Sequence, residues 1–134
     1  MAIGPMTKDQ REAFLADVHV GILAIDEPGR GPFALPIWYV FEDGEVQCWT
    51  MPGRLKHRLV EAAGRATLTV QNEKPPYRYV SVEGPVVCDD GPRDVSVAIR
   101  YLGEKLGAAY GGSGRGGVRI RLTPEHWRTA DYDR

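Results

Sequence analysis

Val40-Phe41-Glu42-Asp43-Gly44-Glu45-Val46-Gln47-Cys48-Trp49-Thr50, followed by Met51-Pro52-Gly53-Arg54-Leu55-Lys56-His57-Arg58, is the stretch that decides the fold of this chain. Asp43-Gly44 separates two runs rich in branched and aromatic residues, Phe33 to Phe41 and Val46 to Thr50. That dipeptide accepts the positive φ angles of a tight hairpin, so the two runs read as antiparallel neighbours. Met51-Pro52-Gly53 then breaks the strand. Leu55, Leu59, Ala62 and Ala63 share one stripe, and Gly64 supplies the left-handed stop of a short helix.

The flanking sequence extends this pattern. Thr7-Lys8-Asp9-Gln10 has the form of a capping box, with Ala13, Phe14 and Val18 following at helical spacing, which predicts an amphipathic helix over 8–17. His19 to Ile25 reads as a strand that ends in the turn Asp26 to Gly31. Ala66 to Val70 and Tyr79 to Val87 alternate as strands, the second interrupted at Gly84-Pro85. Arg93 to Tyr110 reads as one helix with Val97, Tyr101 and Leu102 inward, weakened by Gly103 and Gly107. Gly111 to Gly117 is a glycine-rich connector, and Val118 to Leu122 is a last alternating strand. Six or seven strands, mostly hairpin-connected, with two or three helices, predict a mainly β (α+β) antiparallel barrel with helical caps.

At 134 residues the chain fits one domain, 1–134, and its 43% hydrophobic and 26% charged residues are those of an ordinary soluble protein. No apolar run reaches the length of a membrane span, and no secretory signal is visible, so the cytoplasm is the expected compartment. A net charge of −1 offers no global field for nucleic acid. Cys48 and Cys88 lie in apolar runs, where buried reduced thiols are expected. His19, His57 and His126 lack metal-site spacing, and no Ser-His-acid or Cys-His arrangement is visible, which leaves metal and covalent catalysis without support. The glycine-rich segment lacks the GKS or GKT ending of a phosphate loop and precedes a strand.

Chemistry concentrates at Arg54, Lys56 and Arg58. Free N–H groups and the dipole make a helix start attract anions, so cations placed there call for an anionic partner. Spaced two apart, they fan out by about 200° per step, and only part of the cluster can face one ligand. Arg grips phosphate bidentately, Lys acts as a mobile point charge, and the Thr50 hydroxyl is a further donor. A solvated helix face is the competing reading.

Ala34-Leu35-Pro36-Ile37-Trp38-Tyr39, then Asp43-Gly44, Thr50 with Arg54-Leu55-Lys56-His57-Arg58-Leu59, Ala66-Thr67-Leu68-Thr69-Val70, and Val82-Glu83-Gly84-Pro85 follow one another in an order that resembles the pyridoxamine 5′-phosphate oxidase-like split-barrel family. The resemblance spans roughly residues 7 to 123 and is strongest to the small actinobacterial branch that uses the deazaflavin F420. It implies a six-stranded antiparallel split β-barrel of the FMN-binding type that forms a homodimer, with the flavin in a groove between subunits. Lys56 would be the first phosphate ligand, with Arg54 and Arg58 beside it. Thr50 and Met51 would line the ring or ribityl chain. Pro36, Ile37, Trp38 and Tyr39 would face the isoalloxazine, with Gln71 as a polar contact. Trp127 and Arg128 would reach across the dimer.

Core or interface packing is the competing role for Trp38 and Trp49, and a loosely packed tail for Trp127 and Arg128. The resemblance implies an oxidoreductase passing hydride from reduced F420, ahead of FMN, to an unsaturated or quinone-like small molecule. Tyr39, Tyr77, Tyr79 or solvent would supply the proton. The alternative is a non-catalytic protein that stores, senses or delivers flavin or haem. Glu125 to Tyr132 departs from the paired arginine and histidine of true pyridoxamine phosphate oxidases, which argues against vitamin B6 oxidation.

Overall fold

A computed structural model of the chain describes residues 2–91, 94–111 and 117–134. Thr7 caps α1 (Lys8–Ala16) and exchanges hydrogen bonds with Gln10, the capping box expected from the sequence. β1 (Gly21–Ile25) pairs antiparallel with β2 (Phe33–Ile37). β3 (Val40–Glu42) and β4 (Glu45–Thr50) form the expected hairpin, turned by Asp43 at φ 54° and Gly44 at φ 74°. α2 (Leu55–Ala63) stops at Gly64, φ 69°, and β5 (Arg65–Gln71) leaves directly from it. β6 (Arg78–Asp90), α3 (Val95–Leu102), α4 (Glu104–Gly111), β7 (Val118–Leu122) and β8 (His126–Asp131) complete the order.

The strands run β2-β1-β5-β6-β7-β4-β3, all neighbours antiparallel, with β8 on β6 off that path. β2 and β3 stand at opposite ends of the path yet are consecutive in the chain, linked only through Trp38 and Tyr39. A flat sheet would hold those edges roughly 29 Å apart, far beyond the ~10 Å that such a link can span. The sheet therefore curls into a half-barrel. β6 serves both parts of it: residues 79–85 pair with β5 and residues 86–90 with β7.

Inside the curl, Leu23, Leu68, Val70, Val80 and Val82 meet Val46, Cys48, Ile120 and Leu122, and Leu15 of α1 and Val60 of α2 pack against them, all buried. Cys48 and Cys88 are both free. They flank Ile120 from opposite sides in register, which holds their Cα atoms roughly 10 Å apart, too far for a disulfide.

Four expectations need correction. The described residues form eight strands and four helices rather than six or seven strands with two or three helices. The run Phe33 to Phe41 is two strands, because the Tyr39 backbone bonds to the Tyr101 hydroxyl instead of a strand neighbour. The helix expected over 93–110 breaks at Gly103, whose φ of 84° is not helical, and α4 folds back on α3. The presumed tail is β8, with Trp127 in register with Val82. The glycine-rich connector lies largely outside the described residues. No described helix is long and apolar enough to cross a membrane.

Candidate functional site

Arg54 is the N-cap of α2, and neither a capping side chain nor an acidic residue stands in the first turn. The cations separate as helical spacing requires. Lys56 turns inward and its Nζ donates to the Trp49 carbonyl at 3.1 Å. Arg58 turns back, with Nε donating to the Gly53 carbonyl at 3.2 Å, while Arg54 remains exposed. His57 Nδ1 accepts the Gly53 N–H at 3.1 Å, so the Pro-Gly turn is bound to the helix it introduces.

Lys56 opens onto a cavity of about 340 Å³. Val20, Pro36 and Ile37 form its aliphatic wall, Trp38, Trp49 and Tyr110 its aromatic wall, and among the described lining residues there is no carboxylate. Burial in apolar surroundings strengthens any charge interaction Lys56 makes there. Trp38 stacks on Tyr101 with centroids 5.2 Å apart and meets Tyr110 edge-on at 5.5 Å. The Tyr101 hydroxyl donates toward the His19 carbonyl at 2.6 Å and lies 3.0 Å from the Tyr39 carbonyl, while accepting the Tyr39 N–H at 3.1 Å. Burial raises the Tyr101 pKa, which keeps this hydroxyl neutral and able to donate. One side chain thus fixes the start of β1, the β2–β3 link and α3 around the cavity.

Of the residues expected at the site, Pro36, Ile37, Trp38 and Lys56 come together in this cavity. Thr50 ends β4 just beyond Trp49 and Met51 follows it, but neither lines the cavity, and Arg54 and Arg58 face away. Gln71 is exposed at the end of β5, next to Val70, which pairs with Gly21 beside Val20. Tyr39 is buried with its hydroxyl on the Leu15 carbonyl at 2.7 Å, and burial pushes its pKa up. Tyr77 and Tyr79 are outside the lining. Trp127 and Arg128 are in β8, beside a different depression with Glu83 and Glu125, where Trp127 meets Phe41 edge-on and carries the Arg11 guanidinium 4.3 Å over its ring.

Val20, Trp49, Tyr101 and Tyr110 were not singled out in the sequence as site residues. Trp49 sits in the deciding stretch and was readable there. Tyr110 comes close only because the helix breaks at Gly103, and nothing in the sequence announced that return.

No protein-family model matches the chain, and no functionally curated protein matches it in sequence. Solved structures do match. A FAD-binding protein from Mesorhizobium loti superposes with a TM-score of 0.70 at 18% identity, covering 98% of this chain and 99% of that one. An F420 reductase superposes with a TM-score of 0.71 at 23% identity, covering 87% and 94%. A candidate pyridoxamine 5′-phosphate oxidase from Listeria innocua gives 0.68 at 17%, covering 90% and 95%. The chain has the split-barrel fold. At these identities the likeness is one of fold, and the structures that share it include a FAD-binding protein and an F420 reductase.

Proposed function

We propose that the cavity beside Lys56 binds a flavin-type cofactor, F420 ahead of FMN, and that the chain is an oxidoreductase passing hydride to an unsaturated or quinone-like small molecule. The observation that carries this reading is the cavity itself: flat aromatic walls, Lys56 and about 340 Å³. That volume lies in the range of small-molecule sites. A tricyclic ring with an anionic substituent fits this lining. When bound, such a cofactor supplies hydride transfer, and the protein supplies position, charge and exclusion of water.

In this reading Trp38 and Trp49 hold the ring flat and Lys56 meets its anionic part, with Arg54 and Arg58 placed outside the cavity for a phosphate at the helix start. Thr50, Met51 and Gln71 border the approach. Tyr39 and Tyr101 are tied to backbone groups, so a proton for the product comes from solvent or from Tyr110 at the cavity rim. Val20, just before β1, and Ile22, on its outer face, are exposed at 52% and 42%, beside exposed Pro36. An apolar sheet face next to the site supports a homodimer, and the second copy would bring Trp127 and Arg128 to the groove.

The test is the absorption spectrum of the purified protein, followed by titration with F420, FMN and haem. Sub-micromolar F420 binding without FMN binding supports the reading. Binding without turnover of any quinone-like acceptor moves it to the carrier alternative, and no binding of any of them ends both.

A further inference from the structure

We propose that His57, Glu61 and Cys88 form a binding site for a divalent first-row transition metal such as Zn²⁺, separate from the cofactor cavity. His57 and Glu61 are one turn apart on α2, and Cys88 comes from β6 beneath them. The helix is held over that strand by the Val86 N–H, which donates to the Gly64 carbonyl at 2.9 Å. One ligand-type atom from each of the three residues, nitrogen, oxygen and sulfur, lies within 4.8 Å of the other two. Tetrahedral Zn²⁺ with bonds of about 2.0–2.3 Å spaces these ligands by about 3.3–3.6 Å, so the cluster needs to close by about 1 Å. Glu61, with 57% of its side chain exposed, has the freedom to do so. Its exposure also leaves the fourth position open to water, the pattern of three-ligand sites.

Without metal the three groups are joined by hydrogen bonds. Nδ1 of His57 accepts the Gly53 N–H, so the ring proton is on Nε2 and is directed at Glu61 Oε1, 3.3 Å away. Cys88 is a free thiol standing beside Glu61. Metal binding displaces the thiol proton to solvent as the metal–sulfur bond forms. The imidazole proton moves from Nε2 to Nδ1, freeing Nε2 as a ligand. No electron changes hands. The Gly53 N–H then loses its acceptor, because two N–H groups cannot face one another at that distance. Loading the site therefore releases one tie between the Pro-Gly turn and α2.

The test is Co²⁺ titration of the cofactor-free protein, followed in the visible and near-ultraviolet, with Zn²⁺ competition and amide NMR. The expected result is one Co²⁺ per chain with a thiolate charge-transfer band, displaced by Zn²⁺, and a shift of the Gly53 amide. Cys88→Ser should abolish the band and His57→Gln should weaken binding at least tenfold, as should the exposed Glu61→Gln, whose folding is not at issue. Absence of the charge-transfer band in the wild-type protein, or its persistence in Cys88→Ser, overturns the proposal. Because no cofactor is present, either result leaves the flavin reading untouched.

Discussion

Trp38 lies flat on Tyr101, with their ring planes within 8° of one another. The stack holds the β2–β3 link, where the curled sheet brings its two edges together, against α3. Tyr101→Phe keeps the rings and removes the hydroxyl that serves the His19 and Tyr39 backbone. Leaving those part-buried groups unpaired costs about 1–3 kcal/mol, to be read from the urea midpoint at constant m-value. Tyr101→Ala also removes the stacking partner of Trp38 and should lower cofactor affinity further than the phenylalanine variant does.

Gly84 pairs with Ala66 of β5, two residues before β6 takes up its pairing with β7. A Cβ there would fall 1.8 Å from the Thr123 carbonyl oxygen, a backbone atom that cannot rotate away. Gly84→Ala should therefore cost about 2–4 kcal/mol by thermal or chemical denaturation, through forced separation of the β7–β8 connection from β6. Gly53→Ala has open space around it but a φ of 78°, so its effect should be confined to the turn, at about 1 kcal/mol.

Those two glycines show what the sequence could reveal. The hairpin at Asp43-Gly44, the stop at Gly64 and the capping box at Thr7 were legible because each depends on residues within a turn of one another. Gly84-Pro85 was visible only as an interruption, since its reason, the approach of Thr123, comes from distant sequence. Gly103 marked a weak point but not the return of α4 that brings Tyr110 to Trp38. His126 to Asp131 reads as a tail because Glu125, His126 and Arg128 are polar, and only pairing with β6 reveals the strand. At the site, the separation of Lys56 from Arg54 and Arg58 followed from helical geometry alone, whereas the aromatic walls needed the curl.

His19 stacks on Phe14 with its Nε2 buried and without a hydrogen-bond partner, and burial holds its pKa below 6.5, with Asp17 and Arg100 as its charged neighbours. The unfolded chain then takes up this proton first as the pH falls. The stability it contributes is present above about 6.5 and is lost as the pH drops through the lower folded value. The urea midpoint should fall between pH 7.5 and 5.5 in the wild-type protein, and by less in His19→Phe.

Asp89 is gripped by Arg119 through two hydrogen bonds of 2.9 and 2.7 Å, which holds its pKa below 3.8. Its contribution is present above that pH and lost below it. Asp89→Asn should flatten the acid limb of the stability curve below about pH 4 while leaving the neutral plateau within 1 kcal/mol, because the pair is solvent-accessible.

Lys56 is the cation inside the cavity, with Arg54 and Arg58 outside it, so the three should not weigh equally. Arg54→Ala and Arg58→Ala should each weaken cofactor binding less than tenfold, with an effect that fades at high salt as expected of exposed charges.

The most direct test of the cofactor site is the dissociation constant for F420, with FMN in parallel, of the wild-type protein and of Lys56→Ala with unchanged circular dichroism. Loss of the Lys56 charge should weaken binding by about 1.5–3 kcal/mol, roughly 10- to 150-fold. An unchanged dissociation constant in that variant would mean that the cofactor does not occupy the cavity beside Lys56.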